Sequence, residues 1–164
     1  MCPNLFNLKR MKPLIVLIGV FGITLVVTKI FQGRYKFLLS GRIALSAMLV
    51  FTAMAHFAFT QGMTMMLPSF IPYKTEVIYL TGAIEFAAAI GVLIPRLKAV
   101  TAFLLIVFFL LILPANIYAA LNHINYQKAT YDGSGTNYLW VRIPLQMLFM
   151  LWTYIFVIKF WKPG

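Results

Sequence analysis

The sequence predicts an all-α, polytopic transmembrane helical bundle, a four-helix core with one further helix at the N-terminus. Three observations carry this. Hydrophobic residues fill 62% of the 164 positions and charged residues only 10%, against about 25% charged in an ordinary soluble domain. Too few polar side chains exist to cover a water-facing surface. Mean hydropathy is +0.90, and the apolar residues fall into five stretches. Each stretch is near the ~20 residues that a helix rising ~1.5 Å per residue needs to cross ~30 Å of hydrocarbon. Backbone amides in lipid must find partners within their own segment, which selects helices, and the alternation expected of a membrane barrel is absent.

The first stretch covers residues 14–31 and follows Lys9, Arg10 and Lys12. A basic start before an apolar run is also how a signal peptide begins, but residues 28–32 contain no small-x-small cleavage site, so a retained helix is expected. The second stretch, 43–60, contains His56, and the third, 77–94, contains Glu85. The fourth, 97–121, contains Pro114, whose ring removes one amide and displaces the carbonyl of Leu110, predicting a kink. The fifth runs over 138–158 and holds Arg142 and Gln146. The connections, 32–42, 61–76, 95–96 and 122–137, are too short to fold as domains. Pro68 and Pro72 stiffen the second connection, and Asp132-Gly133-Ser134-Gly135 marks the last as a polar loop. The organisation is therefore a first segment, 1–36, and a membrane core, 37–164.

Lys and Arg number 14 against 3 Asp and Glu. The cations sit between apolar runs, where membrane orientation explains them and no nucleic-acid partner is needed. For the last four helices one side receives Arg34, Lys36, Arg42, Arg96, Lys98, Lys159 and Lys162, the other Lys74 and Lys128. The positive-inside rule therefore places the C-terminus in the cytoplasm. Five spans then put the N-terminus outside, against the preference of Lys9, Arg10 and Lys12.

His56, Glu85 and Arg142 are ionisable residues inside predicted spans, where a charge near the bilayer centre costs about 2.5–3.5 kcal/mol and usually faces the bundle interior. Glu85 shares its helical face with Thr81, Gly82, Ala89 and Val92. Ala83, Ala87 and Gly91 form a separate small-residue stripe suited to close helix contact. Counting residues from the span ends places His56, Glu85, Asn116, Arg142 and Gln146 in the same half of the membrane. It leaves Glu85 and Arg142 about 6 Å apart in depth. Three readings follow: a structural Glu85–Arg142 pair that fixes helix register, the floor of a pocket for a small polar headgroup, a quinone or a proton, or no such pair at all. In the second, Glu85 accepts the proton and Arg142 is its counter-charge.

Other chemistries fit poorly. His56 and His123 are the only imidazoles, and His123 falls at the end of a helix, so a bis-His haem is not expected. Two His, few carboxylates and the single Cys2 do not close a zinc site, and one cysteine allows neither an intrachain disulfide nor CxxC chemistry. Met63, Met65 and Met66 carry soft thioethers that copper would accept, but their spacing suits interfacial packing. Asp132 and Ser134 have no oriented base beside them for nucleophilic catalysis. No catalytic residue is assigned.

Several runs resemble the DoxX-like family of bacterial integral membrane proteins: Gly91-Val92-Leu93-Ile94-Pro95-Arg96, Leu113-Pro114-Ala115-Asn116-Ile117-Tyr118-Ala119-Ala120 and Val141-Arg142-Ile143-Pro144-Leu145-Gln146. Ala55-His56-Phe57, the Pro68/Pro72 loop and Tyr79-Leu80-Thr81-Gly82-Ala83-Ile84-Glu85 add to it, so that it covers residues 40–159. The resemblance implies a four-helix core in the bacterial inner membrane. It also implies an accessory role in a membrane redox system, as in the relatives that are subunits of thiosulfate:quinone oxidoreductase or associate with thiol-homeostasis partners. No thiol lies in the core here, so direct sulfur chemistry is not expected of this chain. The expected partners are the lipid bilayer and a membrane protein or oxidoreductase, with oligomerisation open. The rival readings are a non-catalytic assembly factor or chaperone and, with no inverted repeat visible, a small-solute transporter.

Overall fold

The computed structural model describes residues 11–159. The expectations placed on Cys2, Lys9, Arg10 and Lys162 lie outside these residues. Six α-helices follow in order: α1 (Lys12–Gln32), α2 (Phe37–Ala58), α3 (Thr60–Met65), α4 (Lys74–Gly91), α5 (Lys98–Leu121) and α6 (Thr136–Thr153). The last continues as a π-helical segment, Tyr154–Ile158. No strand occurs among the described residues; one isolated antiparallel bridge joins Asn125 and Thr130.

By length and composition α1, α2, α5 and α6 with its π segment can each cross a membrane, the architecture of a multi-pass membrane protein. The third predicted stretch is the exception. As α4 it begins three residues earlier than expected and carries Lys74, Glu76 and Glu85 within 18 residues. Beyond its first turn, where Thr75 and Glu76 are exposed, its outward residues are nonetheless apolar, with Leu80, Ile84, Phe86 and Ile90 exposed. The second stretch also starts earlier, at Phe37, so half of the expected first connection is helix. The second connection contains α3.

Helix α1 ends where Gly33 takes a left-handed φ of +68° and donates its amide to the Lys29 carbonyl, the usual glycine solution to a helix end. The chain reverses at once into α2. Helices α2 and α4 then pack antiparallel: Ser46 Oγ donates to the Ala89 carbonyl at 2.7 Å, while Gly82 lies against His56 and Phe57. Gly82 is a contact point because a Cβ there would sit 2.9 Å from the His56 Cβ. Gly91 does the same against Thr101 at the α4–α5 turn. The predicted stripe of Ala83, Ala87 and Gly91 is thus only one third correct, since Ala83 and Ala87 are exposed. Close packing falls instead on Gly82, Ala88, Ala89 and Gly91, the face that also carries Glu85.

Helices α5 and α6 form the second antiparallel pair, joined by the Tyr138 to Asn116 and Gln146 to Phe109 hydrogen bonds. Both run through an internal proline, Pro114 and Pro144, without interruption. The two pairs enclose Leu45, Leu49, Val92, Leu105 and Phe149, all buried. Helix α1 leans on α2 and on the end of α6. Leu17 is fully buried in the same core, Phe21 meets Trp152 edge-on at 5.1 Å, and Trp152 Nε1 donates to the Gly41 carbonyl at 3.0 Å. One end of the bundle carries Lys29, Arg34, Lys36, Arg42, Arg96, Lys98 and Lys159, and the other Lys12, Lys74 and Lys128. We call the first the basic end.

Candidate functional site

Near the opposite end the bundle opens into a cavity of about 180 Å³. Its walls are largely apolar, with Met48, Phe51, Ile112 and Phe149 among them. All five residues singled out from the sequence line it: His56 from α2, Glu85 from α4, Asn116 from α5, and Arg142 and Gln146 from α6. Helical spacing explains the convergence. Arg142 and Gln146 are four residues apart on one face of α6, and antiparallel packing brings the matching depths of α2, α4 and α5 alongside.

The pairing differs from expectation. Among the described residues no carboxylate comes within 4.0 Å of Arg142, and Glu85 pairs instead with His56, Oε2 to Nδ1 at 3.6 Å. The reason is the α2–α4 contact at Gly82, one helical turn from Glu85, which holds the two backbones close enough for His56 to reach the carboxyl first. The same Nδ1 lies 3.0 Å from the Thr52 carbonyl, so in the neutral ring Nδ1–H donates there and Nε2 is the acceptor. Arg142 is half-buried, with the phenols of Tyr138 and Tyr126 and the Glu85 carboxyl as its electrostatic neighbours. It therefore acts on Glu85 across the cavity instead of by contact.

Hydrogen bonding leaves two buried acceptors idle. Gln146 Nε2 donates to the Phe109 carbonyl, which leaves Gln146 Oε1 without a partner, and Glu85 Oε2 also lacks one. A buried acceptor left unpaired costs about 1–3 kcal/mol; Glu85 Oε2 faces His56 Nδ1 at 3.6 Å, just beyond hydrogen-bond distance. Asn116 is satisfied, accepting from Tyr138 Oη at 3.2 Å.

The sequence reading missed Thr52, Tyr126, Gln127 and Tyr138, all of which line the cavity. Two were within reach: Thr52 precedes His56 by four residues and Tyr138 precedes Arg142 by four, so each shares its partner's helix face. Tyr126 and Gln127 come from the α5–α6 loop, for which periodicity offers no signal. That loop is pinned by Gly62 of α3, whose missing side chain lets the Tyr126 backbone press against it. The three methionines divide: Met63 and Met66 line the cavity, and Met65 does not. His123 sits apart in the loop, Nδ1 3.3 Å from the Gly133 carbonyl. No group of three or more His, Cys, Asp or Glu able to hold a metal ion occurs among the described residues.

Residues 45–157, more than half of the chain, match the family described as a domain of unknown function (DUF8561), and the chain belongs to it. Helix α1 and the first turns of α2 lie outside the matched residues. No curated protein and no solved structure matches the chain.

Proposed function

We propose that this member of the DUF8561 family is an accessory subunit of a quinone-linked redox system in a bacterial cytoplasmic membrane, and that it holds a quinone-type ring in the cavity between α2, α4, α5 and α6. The observation that carries this is one apolar cavity whose few polar groups converge on a single place: His56, Glu85, Arg142 and Gln146. Such a cavity suits an amphipathic ligand with one polar end. Its size is apt, because a cavity of about 150 Å³ takes a benzene ring and this one offers about 180 Å³. The chemistry fits as well. The idle acceptors Glu85 Oε2 and Gln146 Oε1 accept from a quinol hydroxyl, while the Arg142 guanidinium donates to a quinone carbonyl.

A quinone, when bound, supplies the two-electron, two-proton chemistry, and the electrons come from a partner oxidoreductase. The residues here bind the ring, exclude water from it with Phe51, Ile112 and Phe149, and hold a proton on the Glu85 carboxyl or on His56 Nε2. Arg142 keeps the pocket from carrying a net negative charge when Glu85 is ionised. The resemblance to DoxX-like proteins supports the redox assignment, and the basic end, by the positive-inside rule, faces the cytoplasm together with the C-terminus.

A ubiquinone or menaquinone analogue carrying a photoreactive group tests the reading in lipid nanodiscs. We expect crosslinks on α2 and α6 near His56 and Arg142, competed away by the unmodified quinone. Labelling confined to the lipid-facing residues Leu80 and Ile84 would instead support the rival reading of an assembly factor or chaperone.

A further inference from the structure

Two cavities meet at Arg142. Beyond the quinone cavity lies a larger one of about 300 Å³, at the end of the bundle away from the basic turns. Its walls include Asn125, Lys128, Asp132 and Ser134 of the α5–α6 loop. Tyr126, Gln127, Tyr138, Arg142 and Leu145 line both cavities. Four of those five carry hydrogen-bonding side chains, so the wall shared by the two cavities is polar and offers a bridging water the two to four partners it needs. Toward the basic end the interior is different. Leu45, Leu49, Val92 and Leu105 are between 0% and 2% exposed, and a packed apolar core of this kind holds no water.

We infer that the His56–Glu85 pair exchanges protons with the aqueous phase through this vestibule and the Arg142 constriction, and not toward the basic end. The titratable groups that line the cavity with Glu85 are His56 from α2, Tyr138 and Arg142 from α6, Tyr126 from the loop and the exposed Lys12 from α1, while α5 contributes no titratable group. In the exchange one proton leaves the Glu85 carboxyl for water in the constriction and passes to the vestibule; the return step reverses it, and no other bond changes. Arg142 stays charged throughout. Its field disfavours a proton resting in the constriction, so the carrier positions are the inner pair and the outer water. The inference stands whatever the cavity binds; only its placement on the outer face of the membrane rests on the orientation proposed above.

The test is infrared-monitored hydrogen–deuterium exchange of the Glu85 carboxyl, on the full chain in phospholipid nanodiscs, at a pD low enough for the protonated band to be seen. Loss of the band in Glu85→Gln identifies it. Ser134→Trp fills the vestibule from an exposed position and is expected to slow exchange at least tenfold. Gln127→Ala widens the constriction and is expected to speed it. Exchange as fast in Ser134→Trp as in the native chain would overturn the proposal, as would the absence of a carboxyl band down to pD 4. Should Ser134→Trp not fold, as judged by its helical circular dichroism, Gln127→Ala decides alone, and an unchanged rate overturns the proposal. Quinone content is measured separately in the same samples, so loss of the ligand reading leaves the exchange result standing.

Discussion

Glu85 is 4% exposed on a packed helix face that it shares with Ile78, Gly82, Ala88, Ala89 and Gly91. Glu85→Gln keeps the size and removes the charge and the proton. It should insert and fold as the native chain does, while quinone-type ligand retained through purification falls by at least tenfold; equal retention would sink the pocket. Gly82 is the structural counterpart. A leucine there must push His56 and Phe57 aside, so Gly82→Leu should lower stability by about 1–3 kcal/mol, read from denaturant unfolding in detergent. An unchanged midpoint would mean that α2 and α4 are not in close contact. Ala129 holds a left-handed φ of +54° in the α5–α6 loop, a conformation that costs a side-chain-bearing residue about 1–2 kcal/mol. Ala129→Gly relieves that strain but loosens the unfolded chain, leaving a net gain of about 0.5 kcal/mol. A lower melting temperature would contradict it.

Sequence depth alone put the five polar residues in one half of the membrane, because a helix has a fixed rise and a membrane a fixed thickness. It could not rank partners. His56 reaches Glu85 ahead of Arg142 through the interhelical approach at Gly82, and rotation about a helix axis is decided by packing, which a residue count does not contain.

Among the long helices, α4 alone is not apolar enough to be a candidate membrane span, for a physical reason. It spends polar residues on the cavity and at its first turn, and it shelters Glu85 behind α2 while presenting Leu80 and Ile84 outward. The helices themselves were legible from composition; their ends were less so. Phe37–Arg42 reads as a connection because Ser40, Gly41 and Arg42 interrupt the apolar run. Ser40 and Gly41 are nevertheless buried against the rest of the bundle, and Gly41 receives Trp152.

The α5–α6 loop is held by Asp132, which accepts hydrogen bonds from the Thr130 hydroxyl and from Asn125 Nδ2, the latter at 3.2 Å. The Thr130 hydroxyl, with Asn125 and Lys128 behind it, holds this carboxyl below the usual carboxylate range. A depressed folded-state pKa stabilises the loop above the unfolded pKa and loses that contribution as pH falls through the folded value. Protection of the Asn125 and Thr130 amides, which bridge the loop, should therefore hold at neutral pH and fall as the pH drops through the folded-state value, so that exchange quickens relative to its intrinsic rate. Asp132→Asn should show the quickened exchange already at neutral pH. Exchange independent of both changes would remove Asp132 as the loop's anchor.

At the scale of the whole molecule, an outward apolar surface places the chain in lipid, and an inward polar cluster gives it something to do there. Exposed Ile23, Val26, Phe103, Leu111 and Leu151 face outward on three different helices, as lipid-facing residues should. The cluster lies off-centre, toward the end with few cations, and opens toward the α5–α6 loop. This asymmetry sets the cavity near one end of the bundle, as the proposed quinone-binding subunit that exchanges protons on one side would require. The direct test is native mass spectrometry of the protein purified from its own membranes in mild detergent, beside Glu85→Gln prepared identically. The expected result is a bound mass matching a quinone on the native chain and its loss from the variant. A native chain that carries no small molecule, or one that carries the same mass with and without the Glu85 carboxylate, would contradict it and leave Glu85 and His56 as a structural pair.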